Sequence, residues 1–133
     1  MRVFVDTSVW SLALRRDSPP DLPEVHELQR ALEAGDVCST GLVLQELLQG
    51  FTKPKAHEQI IRYFAALPLL IPDREDHIHA AGIRNACRRQ GIQVGTIDAL
   101  LARLCIHHDL TLLTTDQDFH NMAAAVSLSV WVP

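Results

Sequence analysis

Hydrophobic residues in this chain fall into short blocks, some at strand spacing and some at helical spacing. Arg2 to Val5 is a compact apolar run that stops sharply at Asp6, the pattern of a buried strand. Ser8 to Arg15 has the spacing of a short helix and gives way to a polar, proline-containing loop from Arg16 to Pro20. Leu22 to Ala34 places Val25, Leu28, Ala31 and Leu32 on one side, with Gly35 as its stop signal. Val37 to Thr40 reads as a second strand, and Gly41 to Phe51 and Lys55 to Ala66 as helices. A third strand is predicted from Leu69 to Ile71, between Pro68 and Pro72. Arg74 to Gln90 is helical, with Ala80, Ile83 and Cys87 on one stripe and Gly91 at its end. Gly95 to His108 is the most apolar helix, repeating Ile97, Leu100, Leu101, Leu104 and Cys105, and Thr96 is placed to cap it. Thr111 to Thr115 gives a fourth strand, Gln117 to Ala123 a short helix, and Val126 to Trp131 a last strand.

Strands alternating with helices imply an α/β fold whose mostly parallel central sheet, of four to five strands, is covered on both faces. No repeat or linker interrupts the pattern, so residues 1–133 read as one domain. That length buries a core without disulfides or a structural metal. Cys38, Cys87 and Cys105 are widely spaced within apolar segments, which predicts buried reduced thiols. No apolar run approaches the roughly 18 residues of a membrane helix. The apolar start meets an acid too early for a secretion signal, so a cytoplasmic location is expected. The net charge of −4 excludes a static, strongly basic nucleic-acid binder but suits an enzyme whose acids hold cations.

The candidate chemistry lies in the acids. Chemistry in open parallel sheets gathers beyond the carboxyl ends of the strands, where Asp6 and Asp116 follow the first and fourth predicted strands. Glu46 and Asp98 interrupt helices that are otherwise apolar around them. Each acid has an ordinary alternative: Asp6 and Asp116 as helix caps, Glu46 as a solvated side chain, Asp98 as a partner for its helix dipole. One shared site explains all four together. Clustered carboxylates cannot all stay ionised without compensation, and oxygen-only ligands select Mg²⁺ or Mn²⁺, ions suited to phosphodiester hydrolysis.

Phe4-Val5-Asp6-Thr7-Ser8, Gln45-Glu46-Leu47, Ile97-Asp98-Ala99-Leu100-Leu101-Ala102 and Leu113-Thr114-Thr115-Asp116-Gln117-Asp118-Phe119 resemble, in order and spacing, the motifs of PIN domains. In size the chain is similar to the VapC-type toxins of bacterial toxin–antitoxin pairs. The resemblance implies a three-layer α/β/α domain that cuts RNA with Mg²⁺ or Mn²⁺, leaving 5′-phosphate and 3′-hydroxyl ends. It implies Asp6, Glu46, Asp98 and Asp116 as catalytic, metal-holding acids, with Thr114 as the hydroxyl that positions water or braces a carboxylate. Asp118 offers a second acid beside Asp116, and their division of roles stays open. It further implies a homodimer silenced by a small antitoxin.

Other residues have less to distinguish them. His107 and His108 complement the end of a helix dipole. Arg84, Arg88 and Arg89 share a helix face that is either solvated or in contact with RNA phosphates. Arg15, Arg16, Lys53 and Lys55 lie in loops near the expected site edge, where phosphate binding is an open reading. Trp10 is either a core residue or, the reading preferred here, a groove or dimer contact, and Trp10, Leu14, Leu47 and Phe51 are expected to line an antitoxin groove. Two other functions compete: a degenerate PIN module that binds RNA or protein without cutting, and a phosphoacceptor signalling domain. The latter usually employs a strand-end lysine, whereas Lys53 and Lys55, the chain's only lysines, sit together in one loop. The absence of a G-x-x-x-x-G-K-[ST] loop excludes the common nucleotide-hydrolase design.

Overall fold

The computed structural model describes residues 1–15 and 19–133. The expected phosphate contact Arg16 and most of the loop it opens lie outside the described residues. Eleven elements follow in order: β1 (Val3–Val5), α1 (Thr7–Ala13), α2 (Pro23–Ala34), β2 (Val37–Thr40), α3 (Gly41–Gly50), α4 (Pro54–Ala65), β3 (Leu69–Leu70), α5 (Arg74–Arg89), α6 (Thr96–His107), β4 (Thr111–Leu113) and α7 (Gln117–Ala123). The strands form one sheet in the order β3-β2-β1-β4, all parallel and flanked by helices, as the alternating pattern predicts.

Central position explains the composition of β1. Val3, Phe4 and Val5 are wholly buried because the strand has a neighbour on each edge and helices above and below. The apolar stripe of α6 is buried in the same core through Ala99, Leu101, Ala102, Leu104 and Cys105. Contacts link α1 to α2 and α3, and α3 to α4; α5 lies along α6. All three cysteines are free and buried, and burial pushes each thiol up from its ordinary range.

Several expectations need correction. The last predicted strand reduces to one isolated parallel bridge, Leu112 with Val130, held by the Leu112 and Trp131 N–H groups. Gly95, in extended backbone, caps α6, and Thr96 is already inside the helix. Trp10 is a core residue, 1% exposed, packed against Phe64 with ring centroids 5.0 Å apart. Leu47 is equally buried, and Leu14 and Phe51 pack against the same core, so these four residues do not form an open groove. In a seven-residue helix as apolar as α1, periodicity alone does not say which face turns inward. His107 does more than complement a dipole: its Nδ1 stands 2.9 Å from Asp76 Oδ1.

Candidate active site

The strand order determines where the site forms. From β1 the chain moves outward through β2 to β3, then returns to the opposite edge of β1 as β4. Between β1 and β4 the connections leave in opposite directions, which opens a crevice at the carboxyl ends of these two strands. Asp6 follows β1 directly, and Thr114 to Asp116 follow β4. Register continues one residue beyond the ladder, because the Asp6 N–H donates to the Leu113 carbonyl at 3.1 Å. Residues 108 positions apart are thereby side by side.

Asp6 is 5% exposed and clamped by two hydroxyls. Ser8 Oγ donates to its Oδ1 at 2.5 Å, and Thr114 Oγ1 donates to its Oδ2 at 2.7 Å. Each hydroxyl also accepts a backbone N–H from the β4 side: Thr115 N–H reaches Ser8 at 3.0 Å, and Asp116 N–H reaches Thr114 at 2.9 Å. The single proton of Thr114 is thus committed to Asp6, so in this arrangement Thr114 braces a carboxylate. Ser8 makes the matching contact. Sequence reasoning passed over Ser8, because a serine two residues after a strand-end aspartate looks like ordinary helix-start chemistry. Burial pushes the Asp6 carboxyl up from its ordinary range, and the bonds from Ser8, Thr114 and the first-turn amides pull against that rise.

The ordinary readings of the acids are all met in the structure. Asp6 caps α1 through the Ser8 amide, and Asp116 caps α7 through the Asp118 amide at 2.9 Å. Glu46 is exposed on α3, where it accepts the Thr7 hydroxyl at 3.2 Å, a link between α3 and the start of α1. Asp98 sits half-buried in the first turn of α6. Its carboxyl is pushed up to about 6, first by burial and then by the charges of Asp116, Asp6, Glu46 and Asp118. The charges of the other four sequence-predicted acids therefore all act on Asp98.

That donor set is all oxygen and strongly anionic, the chemistry of a hard divalent cation and not of zinc. Among the described residues no three of these side chains stand close enough to ligate one ion as they are arranged. Closing the set around an ion requires side-chain rotation, which exposure allows at Glu46 and Asp118.

This fold, with acids at the switch of its strand order, defines a known class: residues 3–125 match the family model described as PIN domain, and the chain belongs to that family. Within it, the chain is 32% identical over 128 residues to Ribonuclease VapC11 of Mycobacterium tuberculosis and to VapC ribonuclease Mb1587 of Mycobacterium bovis, covering 95% of this chain and of each relative. Among solved structures it is similar to FitAcB from Neisseria gonorrhoeae (TM-score 0.73, 24% identity, 98% of this chain and 97% of that one). VapBC2 from Rickettsia felis, bound to a DNA fragment from its promoter, matches at TM-score 0.74 with 20% identity over 98% of each chain. At these identities the structural likeness speaks for the fold.

Proposed function

We propose that this protein is a Mg²⁺- or Mn²⁺-dependent endoribonuclease and the toxin of a toxin–antitoxin pair. The observation that carries the reading is the convergence of Asp6, Glu46, Asp116 and Asp118 on the field around Asp98. Family membership and the ribonuclease names of its relatives support the activity. Asp6, Glu46, Asp98 and Asp116 hold the ion in this reading, with Asp118 beside them. A bound divalent ion supplies the positive charge that activates water and offsets charge on the phosphate. Ser8 and Thr114 hold Asp6 in one orientation, so the least mobile ligand is preorganised by the sheet itself. Thr7 steadies Glu46 from the start of α1. Asp98, whose carboxyl is pushed up to about 6 by burial and by its acidic neighbours, would be held in its ionised form by a bound cation.

RNA is the substrate, and a small antitoxin and a second copy of this chain are the partners. An antitoxin arginine or lysine placed among these acids would bridge carboxylates that otherwise hold the ion. In this reading the antitoxin docks elsewhere than on the surface that Trp10 and Leu47 were expected to line, since both side chains are buried.

Purified protein should cleave single-stranded RNA in Mn²⁺ and stop in excess chelator. Asp98→Asn should remove cleavage by at least about a hundredfold while the circular-dichroism spectrum and melting remain those of a folded protein. The same substitution should abolish the growth arrest caused by expressing the wild type alone. Cleavage by Asp98→Asn at the wild-type rate overturns the assignment.

A further inference from the structure

Beside the acids lies a cleft of about 670 Å³, within the roughly 300–1,000 Å³ of ligand-binding clefts. Its walls include Arg84 and Arg88 of α5, Gly91, Val94 and Gly95 of the α5–α6 loop, and Asp118 at the rim. Arg84 and Arg88 are four residues apart and so share a helix face. Among the described residues neither guanidinium pairs with a carboxylate. Two unpaired cations thus line a cleft in a chain of net charge −4.

Arg84 is held in place. Its Nε donates to the Val94 carbonyl at 2.9 Å, which fixes the guanidinium plane and leaves both terminal nitrogens to donate elsewhere. Gly95 belongs at once to the cleft and to the acid cluster. A side-chain carbon built on it would stand 3.7 Å from Asp98 Oδ2, so only a backbone's thickness separates the basic cleft from the central acid. A strand whose phosphate sits among the acids therefore has its next phosphates within reach of the arginines.

We propose that this cleft binds the sugar-phosphate backbone of the RNA strand next to the phosphate being cut, with Arg84 as the anchored contact and Arg88 as the exposed one. The inference rests on the nuclease reading above and names residues which that reading does not use. Among the described residues no aromatic side chain lines the cleft, so it offers phosphate contacts and no stacking platform. It supplies affinity and strand direction, not base preference.

Two measurements on Arg84→Gln, Arg88→Gln and the double variant test it. The first is binding of a fluorescent single-stranded RNA by anisotropy, in the Asp98→Asn background, which keeps the strand whole. Each single substitution should weaken binding by about 3–10-fold, equally for oligonucleotides of different base composition, and the double should lower the log–log salt slope by about 1.4. The second is Mn²⁺-dependent cleavage with Asp98 intact, where KM should rise by a similar factor and kcat stay within about twofold. Arg84 also supports the loop, so Arg88→Gln, exposed and without that contact, carries the decision should Arg84→Gln disturb the fold. A double variant that binds RNA as tightly as its parent, with an unchanged salt slope, overturns the proposal, and would fit a cleft reserved for an acidic protein segment. A fall in kcat alone at constant KM overturns it too. Arginine-dependent binding by a wild-type protein that cuts nothing leaves the cleft standing and sinks the nuclease reading instead.

Discussion

At the scale of single residues, Asp6 is a buried acid and Asp98 a half-buried one, and their surroundings treat them differently. Asp6 receives bonds from two hydroxyls and the Ser8 amide, which offset much of its desolvation. Asp98 meets four other carboxylates, so its charge is opposed twice over. The consequence has a definite sign. A carboxyl whose folded value, about 6, lies above its unfolded one binds protons more readily when folded. Its stabilising share is complete below the unfolded value of about 3.9 and is lost as pH rises through about 6. In chelator at about pH 8, Asp98→Asn should therefore melt above wild type, by up to about 2 kcal/mol of stability, with the gap closing towards about pH 4. Melting curves across that range check it. A variant less stable than wild type at every pH would mean that Asp98 is not crowded. Asp6, Glu46, Asp98 and Asp116 were legible as candidates, since an acid in an apolar context needs a reason. Ser8 was not, because its partner Thr114 is 106 residues away and only the folded sheet brings them together.

Among the elements, the α5–α6 pair shows both what patterning reveals and what it hides. The apolar stripe of α6 and the stop at Gly91 were readable, and Gly91 does take a left-handed φ of 75°. The polar lock between the two helices was not readable. Asp76, 2% exposed near the start of α5, forms a capping box with Asp73 and receives Arg103 Nε at 3.0 Å and His107 at 2.9 Å from α6. Burial pushes its carboxyl up, but the Asp73 amide, Arg103 and His107 together hold it well below the ordinary range. Its contribution is present above the unfolded value of about 3.9 and fades as pH falls towards the folded one, so this contact fails in acid. Asp76→Ala should cost on the order of 3 kcal/mol at neutral pH, because it strands Arg103 in a mostly buried position. Chemical denaturation would show this, and a loss below about 0.5 kcal/mol, the size usual for surface substitutions, would contradict it. No spacing rule links an acid in one helix to a cation 27 residues later. The same limit explains Val126 to Trp131, whose alternation suits a strand although only Val130 finds a ladder partner.

For the whole molecule, topology turns a list of weak motifs into one place. The order β3-β2-β1-β4 puts the first and last strands side by side, so Asp6 meets Thr114 across nearly the full chain, and the Asp116 N–H bonds the same threonine. The middle of α3 and the first turn of α6 contribute nothing to that pairing by sequence proximity, yet the charges of Glu46 and Asp6 both act on Asp98. Alternating strands and helices made the architecture legible. The strand order itself, and with it the crevice and the arginine cleft beside it, emerged only in three dimensions. In the proposed reading these acids together form one divalent-cation site, assembled in the folded state alone. Thermal melting of metal-stripped protein during a Mn²⁺ titration tests it most directly. At a concentration of about 100 Kd, Mn²⁺ should add about 2.7 kcal/mol of stability, a rise in melting temperature of roughly 5–15 °C, with most of that rise lost in the Asp98→Asn/Asp116→Asn double variant. Equal shifts in the two proteins, or no shift in either, would contradict it.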